Sequence, residues 1–267
     1  VELPAEDLRY WLERLRGAPP LELPTDFPRP LQPRHEGRRQ STLLSLPLSQ
    51  EIARLAGAEG ATPFMALMAA FALLLGRWRR AEELVIGAPV ADRPHPDAEG
   101  LIGVFLNNLS LRVDLSGDPS FRALLGRVRE ASLEAYAHQH VPFERVVDAL
   151  GLERDTSRHP VFEVMCNHLS AGRLPELTGL AVQRLAPDNP PAKLPITLYS
   201  GLRDGRVRLS LVYQSALFAP ERMVELLAQL EAVLEQAVED PEDVEVSWWV
   251  TGRDIADDWE TPRVITS

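Results

Sequence analysis

The sequence predicts an α/β fold, a mixed β-sheet with flanking helices, on two observations. Helical and strand-like apolar periods interleave through the first part of the chain, and strand-like segments then cluster ahead of a last helix. The 267 residues are 45% hydrophobic and 25% charged, which is ordinary globular composition.

Taken in order, the first helix is expected over Ala5–Arg16. Leu8, Trp11, Leu12 and Leu15 fall on one face, and Gly17 stands where a C-terminal cap belongs. The stretch Pro19–Pro33 follows, with seven prolines counting Pro4, and should be extended because proline fixes φ and removes a donor. Arg39–Pro47 reads as a strand. Ser49 is expected to cap a short helix carrying Ile52, Leu55 and Ala56 on one face. Thr62-Pro63 opens a second helix, apolar on nearly every side to about Trp78 and so expected in the core. Glu83–Ala91 and Val104–Leu115 are strand-like. Asp118-Pro119 opens a helix carrying Phe121, Leu124, Leu125 and Val128, and Pro142 opens a shorter one carrying Phe143, Val146, Val147 and Leu150. Strands are expected at Val161–Leu169 and Leu180–Ala186. A hairpin then runs Leu194–Leu202 and Arg206–Leu217 around Asp204-Gly205, a dipeptide suited to a type I′ turn. The last helix starts near Pro220.

Composition removes several functions. A net charge of −11 and a pI near 5.1 do not suit nucleic acid, whose phosphates need clustered Lys and Arg. The longest apolar run, Met65–Leu75, is too short to cross a bilayer. The first residues carry Glu and Asp where a signal peptide is basic and then apolar. One cysteine, Cys166, excludes an internal disulfide and a Cys-based zinc site. A soluble, cytoplasmic protein is expected. No G-x-G-x-x-G, Walker A, H-E-x-x-H or G-x-S-x-G string is present, so nucleotide, zincin and α/β-hydrolase chemistry lack support.

Four groups of residues carry possible chemistry. Cys166 and His168, two apart on a predicted strand, share a face and could form a nucleophile pair; a buried Cys and a strand-end His is the simpler reading. His138 and His140 flank Gln139 but have no third metal ligand by spacing. Arg154, Asp155, Ser157 and Arg158 crowd one loop, as a salt-bridge knot or as the lining for an anionic or amide-bearing ligand. Trp248, Trp249 and Trp259 lie among acids in the last 21 residues, either as a partner-docking segment or as packing on the same domain.

Three strings stand in order at suitable spacing: Leu101–Arg112 (LIGVFLNNLSLR), His138–Glu144 (HQHVPFE) and Arg154–Pro160 (RDTSRHP). They resemble the fifth, sixth and seventh core motifs of condensation domains from nonribosomal peptide synthetases. Tyr10-Trp11, Leu23–Pro30, Thr62–Met65, Pro89–Arg93 and Ala192–Leu198 look like that family too. The resemblance runs to about residue 246. It implies a lobe of a chloramphenicol-acetyltransferase-like pseudodimer, with a tunnel between lobes. There an amine on one carrier-bound phosphopantetheine attacks a thioester on another, and an amide forms, largely by proximity. The family's His-His-x-x-x-Asp-Gly motif, whose second histidine acts as base or positioner, is absent from this sequence.

The resemblance therefore implies the C-terminal lobe alone, inactive by itself. Residues 1–38 would be an interlobe helix and Pro-rich connector, 39–246 the lobe, and 247–267 an acidic, Trp-containing tail or linker. No catalytic residue, directly bound cofactor or metal is expected; 4′-phosphopantetheine would arrive on partner carrier domains. The other partners implied are the N-terminal lobe and adjacent synthetase modules, with no nucleic acid and no membrane. By motif match, Asn107, Asn108, Gln139, His140, Pro142, Phe143, Glu144, Arg154, Asp155, Ser157 and Arg158 support the tunnel or hold its loops. Asn107→Ala is expected to affect turnover more than folding, and Arg158→Ala the reverse. Three positions depart from the family pattern: His140 replaces Asp, Asn108 replaces Thr, and Pro195 replaces Asp in Ala192–Leu198, so that segment should be a strand edge or start. The alternatives are a non-catalytic lobe that binds a carrier protein or recruits an enzyme, and an acyl-CoA-dependent relative.

Overall fold

A computed structural model describes residues 5–19, 21–30, 32, 34–91, 93, 97, 100–152, 158–169, 178–180, 182 and 189–242. The chain order is α1 (Ala5–Leu15), β1 (Gly37–Leu43), α2 (Leu46–Ala58), α3 (Pro63–Arg79), β2 (Glu83–Ala91), β3 (Leu106–Asp114), α4 (Phe121–Ala137), α5 (Phe143–Leu150), β4 (Val164–Leu169), β5 (Ile196–Arg203), β6 (Arg206–Gln214) and α6 (Pro220–Glu239). The six strands make one sheet in the order β1-β6-β5-β4-β2-β3. The β2–β4 and β4–β5 pairs are parallel and the other three antiparallel, so the sheet is mixed, as the pattern predicts.

Local rules account for most elements. Thr62 caps α3 by accepting from the Met65 N–H, and Pro63 opens the helix. Every residue from Met65 to Gly76 is buried, which gives the core its centre. Asp204 and Gly205 both have positive φ, 53° and 73°, which a type I′ turn requires, and they join β5 to β6. Gly87 on β2 lies under the Phe162 ring; a Cβ there would sit 2.4 Å from the ring.

Several boundaries differ from expectation. The strand β1 ends at Leu43, and Pro47 lies in the first turn of α2. The cap of α2 is Ser45, whose Oγ accepts from the Leu48 N–H. Ser49 instead faces inward, donating to the Ser45 carbonyl and accepting from the Val207 N–H. Ser120, not Asp118, caps α4, because Gly117 and Asp118 form a left-handed turn before it. The strands β3 and β4 begin at Leu106 and Val164, two and three residues later than expected. Pro195 stands directly before β5, at a strand start as one of the two expectations has it, while β5 itself lies inside the sheet rather than at its edge. The strand expected over Leu180–Ala186 falls largely outside the described residues, as does the Trp-containing tail.

One face of the sheet carries α2, α3, α4 and α6 as a packed layer. Helices α1 and α5 pack together against β3 on the other face. Arg112, pointing opposite to the buried Leu111 and Val113, marks that face: its guanidinium donates to the Arg14 carbonyl at 3.1 Å and pairs in fork geometry with Glu83. The turn between α4 and α5 therefore rounds the free edge of the sheet at β3. Among the described residues no single helix is long and apolar enough to cross a membrane; α2 and α3 reach that composition together but bend by 100°.

Candidate functional site

Asn107 is at the start of β3, where the α4–α5 turn rounds the edge. Its side chain is buried and uses its full hydrogen-bonding capacity. Nδ2 donates to the Gln139 and Val141 carbonyls, each at 2.7 Å, and Oδ1 accepts from the backbone N–H of Phe143 at 3.0 Å and of Asn108 at 2.9 Å. The first two motif strings thus meet through one amide. Phe143 is buried. Asn108 and Gln139 are half-buried, while His140, Pro142 and Glu144 are exposed around the turn.

The third string joins through aromatic packing. The Phe143 ring stacks on His159 with centroids 5.4 Å apart, and His159 lies against Phe162 at 4.1 Å. The Phe162 N–H donates to His159 Nδ1, which fixes the neutral tautomer with its proton on Nε2. Burial pushes the His159 pKa down to about 4, so the ring is neutral at physiological pH. Arg158 pairs with Glu22, which also pairs with Arg79 at the end of α3. Arg154, Asp155 and Ser157 lie outside the described residues.

The Pro-rich connector runs beneath this region. Leu21 and Leu23 are buried. Asp26 accepts from the Ala219 N–H and from Arg222, so it caps α6, whose own cap position is an alanine. Arg29 pairs with the buried Glu163 at 3.0 Å. Burial raises the Glu163 pKa; Arg29 and Arg158 pull it down but do not outweigh the desolvation.

Beside the Asn107 site, Leu101, Ile102, Val104 and Leu106 are exposed, Ile102 completely. Arg93 organises this apolar loop. Its guanidinium carbon is 4.2 Å from the Phe105 ring centroid, and Nη2 donates to the Leu101 carbonyl at 3.1 Å.

The other candidates carry little chemistry. Cys166 is 1% exposed and burial pushes its thiol up, away from the thiolate a nucleophile needs. His168 bonds Ser200 at 3.0 Å. His138 faces helix α1, and among the described residues no group of three or more His, Cys, Asp or Glu side chains could hold a metal ion. Sequence reasoning missed the Arg93 clamp, the His159 stack and the Glu163 pair. Of these, His159 carried a signal as a member of the third string and Arg93 as the last residue of Pro89–Arg93, while Glu163 carried none.

The arrangement is a set of loops tied together at one sheet edge by the Asn107 amide, beside an exposed apolar surface. The condensation-domain family model matches residues 2–254. A component of the linear gramicidin synthase of Brevibacillus parabrevis is 42% identical over 245 residues, 90% of this chain and 5% of that protein. Phosphinothricin tripeptide synthetase PhsC of Streptomyces viridochromogenes is 40% identical over 231 residues, 84% of this chain and 21% of that protein. The chain thus spans a small part of the length of these relatives. The solved X-domain in complex with OxyB from teicoplanin biosynthesis is similar with a TM-score of 0.82 at 30% identity, covering 90% of this chain and 55% of that one. A four-domain nonribosomal peptide synthetase bound to AMP and glycine is similar with a TM-score of 0.79 at 27% identity, covering 96% of this chain and 20% of that one. Matched along nearly its whole length, with two motif strings and the described end of a third brought together at one sheet edge, the chain belongs to the condensation-domain family.

Proposed function

We propose that the chain is the C-terminal lobe of a nonribosomal peptide synthetase condensation domain. In this reading the lobe forms one wall of a tunnel in which two carrier-bound thioesters react to form an amide. The carrying observation is the Asn107 site: the first two motif strings meet on one buried amide, and the described end of the third joins them through an aromatic stack, beside an apolar loop with no cover among the described residues. An exposed apolar surface of this kind suits a second lobe. Coverage of about half of the X-domain chain also supports a single lobe. The phosphopantetheine arms belong to the carrier domains and enter as part of the substrates. The chain's own residues hold the wall, exclude water and fix the distance between arms, while the catalytic histidine motif belongs to the other lobe.

The test pairs this chain with a lobe bearing His-His-x-x-x-Asp-Gly, in the presence of two aminoacyl-loaded carriers. Dipeptidyl product, followed by mass spectrometry of the carriers, is expected from the pair and not from this chain alone. Product from the chain alone, or none from the pair, overturns the reading. A second reading, a lobe that only recruits a partner protein, is favoured by the similarity to an X-domain solved with OxyB. Retained partner binding without product would select it.

A further inference from the structure

The turn between α4 and α5 is held from two sides. Asn107 on β3 takes the Gln139 and Val141 carbonyls. From the opposite side, Trp11 Nε1 on α1 donates to the His138 carbonyl at 2.9 Å. The His138 ring is itself fixed on α1: Nδ1 is 2.6 Å from Asp7 Oδ1, and the ring stacks on Tyr10 with centroids 4.1 Å apart and planes 20° apart. The Asp7 carboxylate can only accept, so Nδ1 carries the proton in that bond. Both partners are largely withdrawn from solvent, with side chains 27% and 16% exposed. Burial and Glu134 push the Tyr10 pKa up to about 12, so the stacked phenol stays neutral. The carbonyls of His138, Gln139 and Val141 are thus each held by a side chain from another element. Such over-determination fixes a loop to the fraction of an ångström that positioned chemistry requires.

From this we infer that His138 is a positioning residue: through Asp7 and Tyr10 it sets the turn 139–142 from the α1 side, and so sets the wall that Asn107 supports. The inference rests on the reading proposed above. It makes α1 the lever on the turn, because the ring couples the helix to the segment that carries Gln139, His140 and Phe143.

The experiment compares His138→Leu, which removes the donor, with His138→Asn, whose amide nitrogen occupies nearly the place of Nδ1 and keeps it. Two readouts are taken. Amide hydrogen exchange on this chain follows the Phe143 N–H, with Leu211 in β6 as the global reference. Turnover is measured in the synthetase with both lobes and loaded carriers, with kcat separated from KM. His138→Leu is expected to speed Phe143 exchange about tenfold without moving Leu211, and to lower kcat about tenfold or more at unchanged KM. His138→Asn is expected to stay within about threefold of wild type on both. Unchanged Phe143 exchange in His138→Leu overturns the inference. So does faster exchange with unaltered kcat, which would make the contact structural only. So does a failure of His138→Asn to rescue. If wild type itself forms no amide, the proposed function fails, while the exchange result still decides whether His138 holds the turn.

Discussion

Removing the Asn107 side chain strands two buried carbonyls and two N–H groups at once. Asn107→Ala is expected to cost about 2–4 kcal/mol, read as a fall in the urea midpoint. Asn107→Asp should be worse, because a carboxylate would face the Gln139 and Val141 carbonyls it now has no proton for. Arg158→Ala removes a partly exposed pair with Glu22 and should cost about 1 kcal/mol or less through that contact. Equal losses for Asn107→Ala and Arg158→Ala would contradict this ordering. The resemblance to the family's motifs implies the opposite division, with Asn107 acting on turnover. The string identifies Asn107, but three of its four partners lie 32 to 36 positions away, and nothing local announces that the amide is fully engaged.

At the scale of elements, the connector is a structural member rather than a spacer. It caps α6 through Asp26 and closes on the sheet through Arg29 and Glu163. Arg29→Leu should cost about 3 kcal/mol at neutral pH, since it takes from the buried Glu163 carboxylate the guanidinium bonded to it and leaves only Arg158 to offset its burial. Glu163→Gln should change stability by less than about 1 kcal/mol, and adding it to Arg29→Leu should restore most of the loss. Denaturant titration of the four proteins checks this, and a Glu163→Gln as harmful as Arg29→Leu would refute it. Elements governed by neighbouring residues were legible: the β5–β6 hairpin from Asp204-Gly205, α3 from Thr62-Pro63, and β2 from its run Glu83–Ala91. The misplaced cap at α2 has a local cause. Ser45 and Ser49 both flank Pro47, and proline belongs in the first turn, so the cap must precede it. Asp26 on α6 was not legible, because a cap supplied from 193 positions away leaves no pattern in the helix's own sequence.

Two groups withdrawn from solvent, His159 and Glu163, contribute with opposite sign to the pH response of the whole molecule. The folded pKa of His159 lies near 4, below its ordinary 6.5. Between those values the unfolded chain takes up a proton that the folded chain refuses. Stability from His159 is therefore present above 6.5 and falls as pH drops toward 4, by up to about 3 kcal/mol. Glu163 is raised instead, so its contribution is lost as pH climbs through its folded pKa. His159→Asn keeps an acceptor for the Phe162 N–H and removes the titration; its unfolding free energy should be flatter than wild type between pH 6.5 and 4. A slope unchanged by the substitution would exclude His159 as its source. The sheet order has a further effect, on how the chain is made. The edge strand β1 and its neighbour β6 meet at Ser41 and Ser210, 169 positions apart. At ribosomal speeds of about 5–20 residues per second, β1 waits on the order of ten seconds or more for β6, its neighbour in the sheet. The β2–β3 pair and the α3–α4 packing are complete long before then. The newborn chain thus passes through a half-sheet with an open β4 edge and an unattached basic strand, Gly37–Leu43. That interval, rather than the finished fold, is when unpaired strand edges leave the chain open to mispairing.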